Sequence, residues 1–441
     1  MLQAWRQDKF DIAEHMFRKV EASDPITTEN LADTIYELGK DLLVKKQYEM
    51  AVKWLERASE TLATQELDKL STEASELRIS ILQCTVEALL KLQNEDALEK
   101  ARNIVALLVS ELGDKLVVLL LKLEILDSSV NEDFDGNSYY DVVHRIIRSV
   151  TLSKENYKLV MKHIRKLHNK SPSLACSAIN EFLLDRILDE ENIEWIERVV
   201  VSRVLMVAGH SQDNPEVLQE LHHILEQTAL RLKGSFRLTA THAVQMLLWK
   251  QIESCVSQQQ YETARSWCHL ALHRLFEGAG EANISKIIRK LLICAIARQD
   301  VVSANEIFNS MPKAHQDAPL TRFLMFKIAI RAQDSELAAG CLEKLLANTG
   351  SDSSLLFACV MDAQQVGDTS QIIAALQLVL HKSELYPHDD VHIPSLLRCT
   401  LRLMFSQLEA KDQSIDVSIA VSEICRLLEA GEKYYPPQKL Y

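Results

Sequence analysis

Apolar and polar residues in the C-terminal part of the chain recur with a spacing of 34 residues. In each unit an Asp is followed, at steps of four, by two apolar residues, and an Ala stands five positions before the Asp. This spacing places the apolar residues on one face of a helix, so the pattern predicts a helix, a tight turn near the Asp and a second helix. The recurring positions are Ala295, Asp300, Ala304 and Phe308; Ala329, Asp334, Ala338 and Leu342; and Ala363, Asp368, Ile372 and Leu376.

A 34-residue period of paired helices is typical of tetratricopeptide (TPR) repeats. The clearest single unit spans residues 31–63, and less complete units lie at 8–17, 94–108 and 259–272. In the clearest unit, small residues would let two helix axes approach while large residues fill the space between them. These residues are Leu38, Gly39, Tyr48, Ala51, Leu55 and Ala58. The predicted fold is all-α, a TPR-like α-solenoid of antiparallel helix hairpins.

In the 34-residue series, the position that a strict TPR keeps small is occupied by Leu292, Phe326 and Val360. Larger side chains at a helix contact require a wider separation of the helices. The fold is therefore predicted to be TPR-like rather than a strict TPR array.

The repeat signal changes along the chain, within one predicted solenoid of residues 1–441. The stretches are N-terminal hairpins at 1–126, an irregular helical middle at 138–240, and C-terminal hairpins with the 34-residue period at 241–441. Polar, turn-rich inserts at 127–141 and 383–394 are expected to be surface loops. Both ends interrupt a helix pair, so we expect the chain to be part of a longer array.

Composition excludes several classes of protein. With 11 Gly and 9 Pro in 441 residues and no alternating β-branched segment, the chain is expected to be almost entirely helical. The nine cysteines stand singly without a Cys-x-x-Cys pair, which is typical of reduced intracellular thiols. A net charge of −13 disfavours direct nucleic-acid binding, which relies on Lys and Arg neutralising phosphates. No apolar run approaches the roughly 18 residues of a membrane span. Other proteins are therefore the expected partners.

Motifs for catalysis or metal binding are incomplete in the sequence. His269 and His273 stand at i and i+4, but no Glu follows His269 and no third ligand is apparent. The stretch EGAGEAN (277–283) lacks the Lys-Ser/Thr of a phosphate loop and is interpreted as a helix end followed by a helix start. The loop HDDVH gathers four potential ligands, although a solvated acidic turn is the simpler interpretation: His388, Asp389, Asp390 and His392. We therefore expect no metal, no cofactor and no enzymatic activity.

A basic stripe runs along the predicted helix of residues 154–170. Steps of four, three and one place its cations close together, which would suit an acidic partner or DNA. The favoured alternative is a solvated helix face neutralised by acidic neighbours. The stripe consists of Lys154, Lys158, Lys162, Arg165 and Lys166.

A second candidate surface, here called the predicted groove, follows from the repeat register. In TPR-like arrays the first helix of each pair lines the concave surface, and the corresponding positions here are unusually apolar. They are Arg289, Ile293 and Ile296; Phe323, Lys327 and Ile330; and Phe357, Met361 and Gln364. Such a groove would accept an amphipathic helix or extended peptide, or be covered by another part of the protein. Alternatively, superhelical twist buries these residues within the solenoid.

The block HIRKLHNKSPSLACSAINEFLLDRIL (163–188) resembles a segment of a meiotic crossover scaffold family. These are the sporulation and zipper proteins "Spo-twenty-two/Zip-four" of fungi and a testis-expressed relative in animals. The end of the chain, YYPPQKLY (434–441), resembles the start of a later helix of the family. The residues that carry the likeness of the first block are His163, Leu167, Ser171, Pro172, Ala175, Leu183, Leu184 and Arg186.

The resemblance implies a nuclear, chromosome-associated scaffold of the ZMM crossover group. It would use TPR-like surfaces to connect recombination factors with synaptonemal complex proteins during meiosis. A different hypothesis is a general TPR adaptor or co-chaperone in the cytosol or nucleus. A chaperone-type adaptor needs Lys and Asn on its first helices to clamp a carboxylate, whereas the clearest unit has Tyr36 and Lys40, which disfavours that function.

Overall fold

The computed structural model describes most of the chain as two compact units, Met1–Asn192 and Ile193–Tyr441. The described residues are 4–5, 10–20, 24–65, 71–128, 134–190, 192–209, 214–232, 234–348, 353–385, 392–409 and 417–434. In this part of the chain the regular elements are helices and no strand occurs, which confirms the all-α solenoid prediction. The boundary between the units lies inside the predicted irregular middle, residues 138–240, and a single array over 1–441 stays a prediction.

Nine helices of the first unit lie wholly within its described residues, and a π-helical turn, Leu183–Ile187, follows the last of them. They are α1 (Phe10–Arg18), α2 (Pro25–Val44), α3 (Tyr48–Ala63), α4 (Thr72–Leu92), α5 (Glu95–Leu112), α6 (Leu116–Asp127), α7 (Gly136–Ser149), α8 (Lys154–Lys170) and α9 (Pro172–Phe182). From α2 onward, each helix packs against the next, and α2 also contacts α4, as expected for stacked hairpins. One hydrophobic core extends from Trp5 to Ile125.

The second unit continues with further helices. They are α10 (Ile193–Gly209), α11 (Pro215–Arg231), α12 (Leu238–Ser257), α13 (Tyr261–Ala271), a 3₁₀ helix (Arg274–Ala279), α14 (Glu281–Ala297), α15 (Val301–Ser310), α16 (Lys313–Gln316), α17 (Pro319–Ala332), α18 (Ser335–Asn348), α19 (Ser354–Val366), α20 (Thr369–Leu385), α21 (Ile393–Glu409) and α22 (Val417–Tyr434). The pairs α12–α13, α14–α15, α17–α18 and α19–α20 form hairpins, and the first helices α14, α17 and α19 pack against one another in succession.

The turn inside a hairpin is built in the same way in five places. One residue adopts a left-handed backbone, and the next N–H donates to the carbonyl oxygen five residues earlier at 2.9 to 3.1 Å. This Schellman arrangement satisfies a carbonyl that the helix end leaves without an intrahelical donor. The left-handed residues are Lys46, Gln259, Gln299, Gln333 and Gly367.

These turns explain the 34-residue pattern residue by residue. The repeated Ala supplies the accepting carbonyl, as in the bond from the Asp334 N–H to the Ala329 oxygen at 3.0 Å. The repeated Asp is the N-cap of the second helix, because its carboxylate accepts the backbone N–H three residues later. Those bonds run to Asp300 from Ser303 at 3.0 Å, to Asp334 from Leu337 at 2.9 Å, and to Asp368 from Gln371 at 3.1 Å.

Close helix packing in the clearest repeat unit is confirmed at Gly39 on α2. A Cβ atom added to Gly39 would lie 2.6 Å from Cγ and Cδ2 of Leu55 on α3. Leu38, Ala51 and Leu55 are buried around this contact. Only a residue without a side chain fits here unless Leu55 moves.

The predicted loop at 127–141 is too long. Helix α6 ends at Asp127, and α7 already begins at Gly136. The Asp135 carboxylate caps α7 by accepting the Ser138 N–H at 3.0 Å. A polar composition therefore concealed a helix start, because Asp followed by small polar residues suits both a turn and an N-cap. In the other predicted loop, residues 386–391 lie outside the described part of the chain.

Candidate protein-interaction surface

The predicted groove lies on α14, α17 and α19, the first helices of three successive hairpins. Ile330 is only 1% exposed and belongs to the core, so it offers almost no surface. Met361 is 58% exposed, and Gln364 is also exposed. The other six residues are half-buried: Arg289, Ile293, Ile296, Phe323, Lys327 and Phe357. The set thus combines interior and surface positions, and its role in partner binding stays a prediction.

The half-buried apolar residues of the predicted groove have one side on the core. Ile293, Phe323 and Phe357 pack against the cluster of buried residues that runs from Ile288 to Val379. Their remaining exposed area forms apolar surface on consecutive helices. A surface of this kind can bind an apolar partner face, whereas a charge placed on it would also disturb the core beneath.

Lys327 holds two hairpins together. Its ammonium lies 3.1 Å from Oδ1 of Asp362 on α19 and 5.3 Å from the ring centroid of Phe323. The Asp362 carboxylate is buried, and an ion pair offsets part of the cost of removing that charge from water. The repeat register placed Lys327 on the surface, but it could not reveal this partner because Asp362 belongs to the next hairpin.

The first-helix surface extends to α12, which the sequence analysis missed. Gln259 and Gln299 hold the same left-handed turn position, so equivalent residues of these two hairpins lie 40 residues apart. The longer step accommodates the 3₁₀ helix Arg274–Ala279 between the hairpins. With that offset Trp249 is the counterpart of Arg289. Alignment of the hairpins on their shared turn would have identified Trp249, whereas a fixed step of 34 residues does not reach this position.

Trp249 is half-buried and contacts a cation from the next hairpin. The Lys290 ammonium lies 5.5 Å from the Trp249 ring centroid and 2.9 Å from Oε1 of Glu253. Burial lowers the pKa of the nearby Arg289 guanidinium. The surface of α12 and α14 therefore combines an aromatic ring, apolar side chains and cations, as protein interfaces often do.

The basic stripe lies on α8 in the first unit. Lys154, Lys158, Lys162 and Arg165 are exposed, and Lys166 is half-buried with its ammonium 2.8 Å from Oδ2 of Asp127. Burial raises the pKa of the neighbouring Glu124 carboxyl, while Lys166 and Lys162 oppose that rise. Acidic groups therefore neutralise part of the stripe, as the solvated alternative expects. Binding of an acidic partner by the stripe stays a prediction.

The two histidines lie on different elements, since His269 is on α13 whereas His273 follows that helix and is the N-cap of the 3₁₀ helix Arg274–Ala279. His273 is buried, with Nε2 3.0 Å from Oε1 of Glu226 and Nδ1 accepting the Leu275 N–H at 3.3 Å. Both ring nitrogens are therefore engaged. Burial lowers the pKa of His269 and of His273. Among the described residues no group of three or more His, Cys, Asp or Glu side chains could hold a metal ion.

The other two motifs give no further ligand set in the described chain. In the HDDVH loop, His388, Asp389 and Asp390 lie outside the described residues, and His392 Nδ1 lies 2.6 Å from the Ser395 hydroxyl near the start of α21. In EGAGEAN, Gly280 has a left-handed φ of 84° and α14 begins at the next residue. That stretch is a helix boundary, as interpreted from the sequence.

Comparison with known families decides the relationship of this chain. The sequence model described as "Meiosis protein SPO22/ZIP4 like" matches residues 3–273, more than half of the chain. The chain belongs to the SPO22/ZIP4-like family. Membership assigns this SPO22/ZIP4-like protein to meiosis and confirms the resemblance seen at residues 163–188. The match includes α12, whereas α14, α17 and α19 lie beyond it.

Comparison with solved structures gives matches of low sequence identity. One match is titled "Circular tandem repeat protein with novel repeat topology and enhanced subunit contact surfaces". It is 14% identical and covers 98% of this chain and 89% of that chain, with a TM-score of 0.12. Among the described helices of the SPO22/ZIP4-like chain, none combines the length and apolar composition that a membrane crossing requires.

The residues that carried the family resemblance organise the packing of α7, α8 and α9. Pro172 occupies the first turn of α9, where its missing N–H costs nothing. Nδ1 of buried His163 lies 2.8 Å from the Tyr139 hydroxyl on α7. Arg186, in the π-helical turn, donates to the carbonyl oxygens of Ile147, Arg148 and Val150 at 2.7 to 2.8 Å. The diagnostic block of this SPO22/ZIP4-like protein is thus a structural signature.

Proposed function

We propose that this chain is a non-enzymatic scaffold that binds other proteins in meiosis. The observation that carries the proposal is the partly exposed apolar surface on successive first helices, which includes Phe323, Phe357 and Met361. Family membership supplies the meiotic setting. Stacked hairpins offer a long docking surface instead of a pocket for chemistry.

In finer terms, the scaffold acts in the nucleus, on meiotic chromosomes. Its partners are crossover factors of the ZMM group and synaptonemal complex proteins, and it links crossover recombination to synaptonemal complex assembly. The resemblance at residues 163–188 and the family match support this assignment. The net charge of −13 supports protein partners over direct DNA contact.

The test compares an exposed apolar residue on the first helix of one hairpin with an exposed apolar residue on the second helix of another. Met361 on α19 is 58% exposed, and Val302 on α15 is 71% exposed. A charge at either site leaves the core intact, so both Met361→Glu and Val302→Glu should melt like the wild type. Affinity purification from meiotic cells should recover crossover and synaptonemal complex proteins with the wild type and Val302→Glu, and less with Met361→Glu.

Two results would count against the proposal. Recovery of chaperones or proteasome subunits alone would indicate a general adaptor. Equal recovery of meiotic partners by the wild type and both variants would indicate that the predicted groove does not bind these partners.

A further inference from the structure

An open cavity of about 380 Å³ lies between α12 and α14, on the first-helix surface of the second unit. This α12–α14 cavity is lined by His242, Gln245, Met246, Trp249, Asn283, Lys286 and Ile287. Its volume falls in the range of small ligand pockets, roughly 300 to 1,000 Å³. It is large enough for one or two side chains of a bound peptide.

Gln245, one of the residues that line this cavity, has a side-chain hydrogen-bond donor without a partner. The residue is 8% exposed, and its buried Nε2 has no hydrogen-bond partner among the described residues. Burying an amide N–H without an acceptor costs free energy, and most buried polar groups in proteins are paired. A rotation of the Gln245 side chain would present this donor to an acceptor held in the cavity. A backbone carbonyl of an extended peptide is a suitable acceptor.

The other lining residues specify the chemistry of such a peptide. Met246 is 72% exposed and, together with Trp249 and Ile287, provides an apolar wall. Lys286 is exposed and has no ion-pair partner within the described chain. The neighbouring Lys290 is already paired with Glu253. The unpaired charge at the cavity is therefore positive, although the whole protein carries −13.

We infer that the α12–α14 cavity binds an acidic peptide segment of a protein partner. An apolar side chain of the segment packs on Met246 and Trp249, a carboxylate pairs with Lys286, and a backbone carbonyl accepts the Gln245 N–H. Complementary charge favours an acidic partner, and the hydrogen bond from the Gln245 amide favours a segment with an extended backbone. This inference deepens the proposed function and rests on it, since it names the kind of segment that a scaffold would bind.

The experiment uses the purified full chain and random 16-residue peptides selected by display. The selected peptide is then synthesised with a fluorescent label, and its Kd is measured by anisotropy. We expect enrichment of peptides that place Asp or Glu near a large apolar residue. Lys286→Glu and Gln245→Leu should each weaken binding about tenfold, as loss of one ion pair or one buried hydrogen bond predicts.

Lys250→Glu is the matched control, because Lys250 is an exposed cation on α12 that does not line the cavity. It should bind the peptide within twofold of the wild type. Gln245→Leu should melt no lower than the wild type, since it removes a buried unpaired donor. These two measurements separate loss of binding from loss of folding and from a general charge effect.

The inference is overturned if no peptide is selected, if the selected peptides are basic or neutral, or if Lys286→Glu and Lys250→Glu behave alike. Because this experiment needs no cell extract, its result is distinguishable from that of the purification experiment. Meiotic partners lost with Met361→Glu but no acidic peptide bound would sustain the scaffold and refute the cavity. Acidic peptides bound without meiotic partners would refute the meiotic scaffold alone.

Discussion

Removing the Arg186 guanidinium should destabilise the C-terminal end of α7 and increase its local opening. The last carbonyls of a helix have no intrahelical donor, and Arg186 donates to three oxygens there, those of Ile147, Arg148 and Val150, at 2.7 to 2.8 Å. Its positive charge also lies at the negative end of the helix dipole. The informative variant is Arg186→Met, because it keeps the aliphatic stem of this half-buried side chain and removes only the charged fork.

The expected cost is about 3 kcal/mol. A hydrogen bond to a charged group contributes roughly 1.5 to 3 kcal/mol, and three that share one guanidinium are not additive. The helix-dipole contribution is about 0.3 to 1 kcal/mol of the same total. Arg186→Lys keeps the charge but loses the planar guanidinium, so it should retain about half of the stabilisation that Arg186 provides.

Hydrogen exchange measured by mass spectrometry is the suitable assay, because it reports local opening in a chain with two compact units. Amides at the C-terminal end of α7 should exchange roughly 100-fold faster in Arg186→Met, since each 1.4 kcal/mol corresponds to about tenfold. Peptides from α2 and α3 serve as the internal reference and should be unchanged. Exchange within threefold of the wild type in Arg186→Met, or equal exchange in the Met and Lys variants, would refute the capping role.

Three further perturbations test a helix cap, a close helix contact and a buried histidine. Asp334→Ala should destabilise its hairpin by about 1 kcal/mol through loss of the N-cap, seen as faster amide exchange at the start of α18 but not of α15. Gly39→Ala should lower stability by about 1 to 2 kcal/mol in urea denaturation, because the clash with Leu55 outweighs the gain in helix propensity; an unchanged midpoint would contradict the packing. Burial is the main cause that lowers the pKa of His163 from 6.5 to about 4, and the charges of Lys166 and Lys162 add to it. Between these pH values the unfolded chain therefore binds a proton at His163 that the folded chain does not bind. Stability should fall by about 1 to 2 kcal/mol as the pH drops from 7 to 5, and His163→Gln should lose that part of the pH dependence.

The hairpins and their turns could be predicted from the sequence because their determinants are local. The Asp334 N-cap and the Ala329 carbonyl lie five residues apart, and both recur with the period. Gly39 was identifiable for the same reason, since its neighbour Leu55 belongs to the same hairpin.

Contacts between different hairpins could not be predicted in this way. The ion pair of Lys327 with Asp362 and the capping of α7 by Arg186 join residues whose separation depends on how hairpins stack. Trp249 was not predicted as a surface residue because the 3₁₀ helix Arg274–Ala279 lengthens one repeat. The unpaired amide of Gln245 is likewise a property of packing, since periodicity does not reveal which buried donors find an acceptor.

Cross-linking in meiotic cells shows whether protein partners dock on the first helices of the hairpins. A lysine-reactive cross-linker followed by mass spectrometry would locate each contact. Docking on the first helices predicts links from Lys286 on α14 and Lys327 on α17 to crossover or synaptonemal complex proteins, with few from Lys313 on α16 or Lys344 on α18. Partner links concentrated on Lys313, Lys344 or the basic stripe of α8, with none on the first helices, would contradict it.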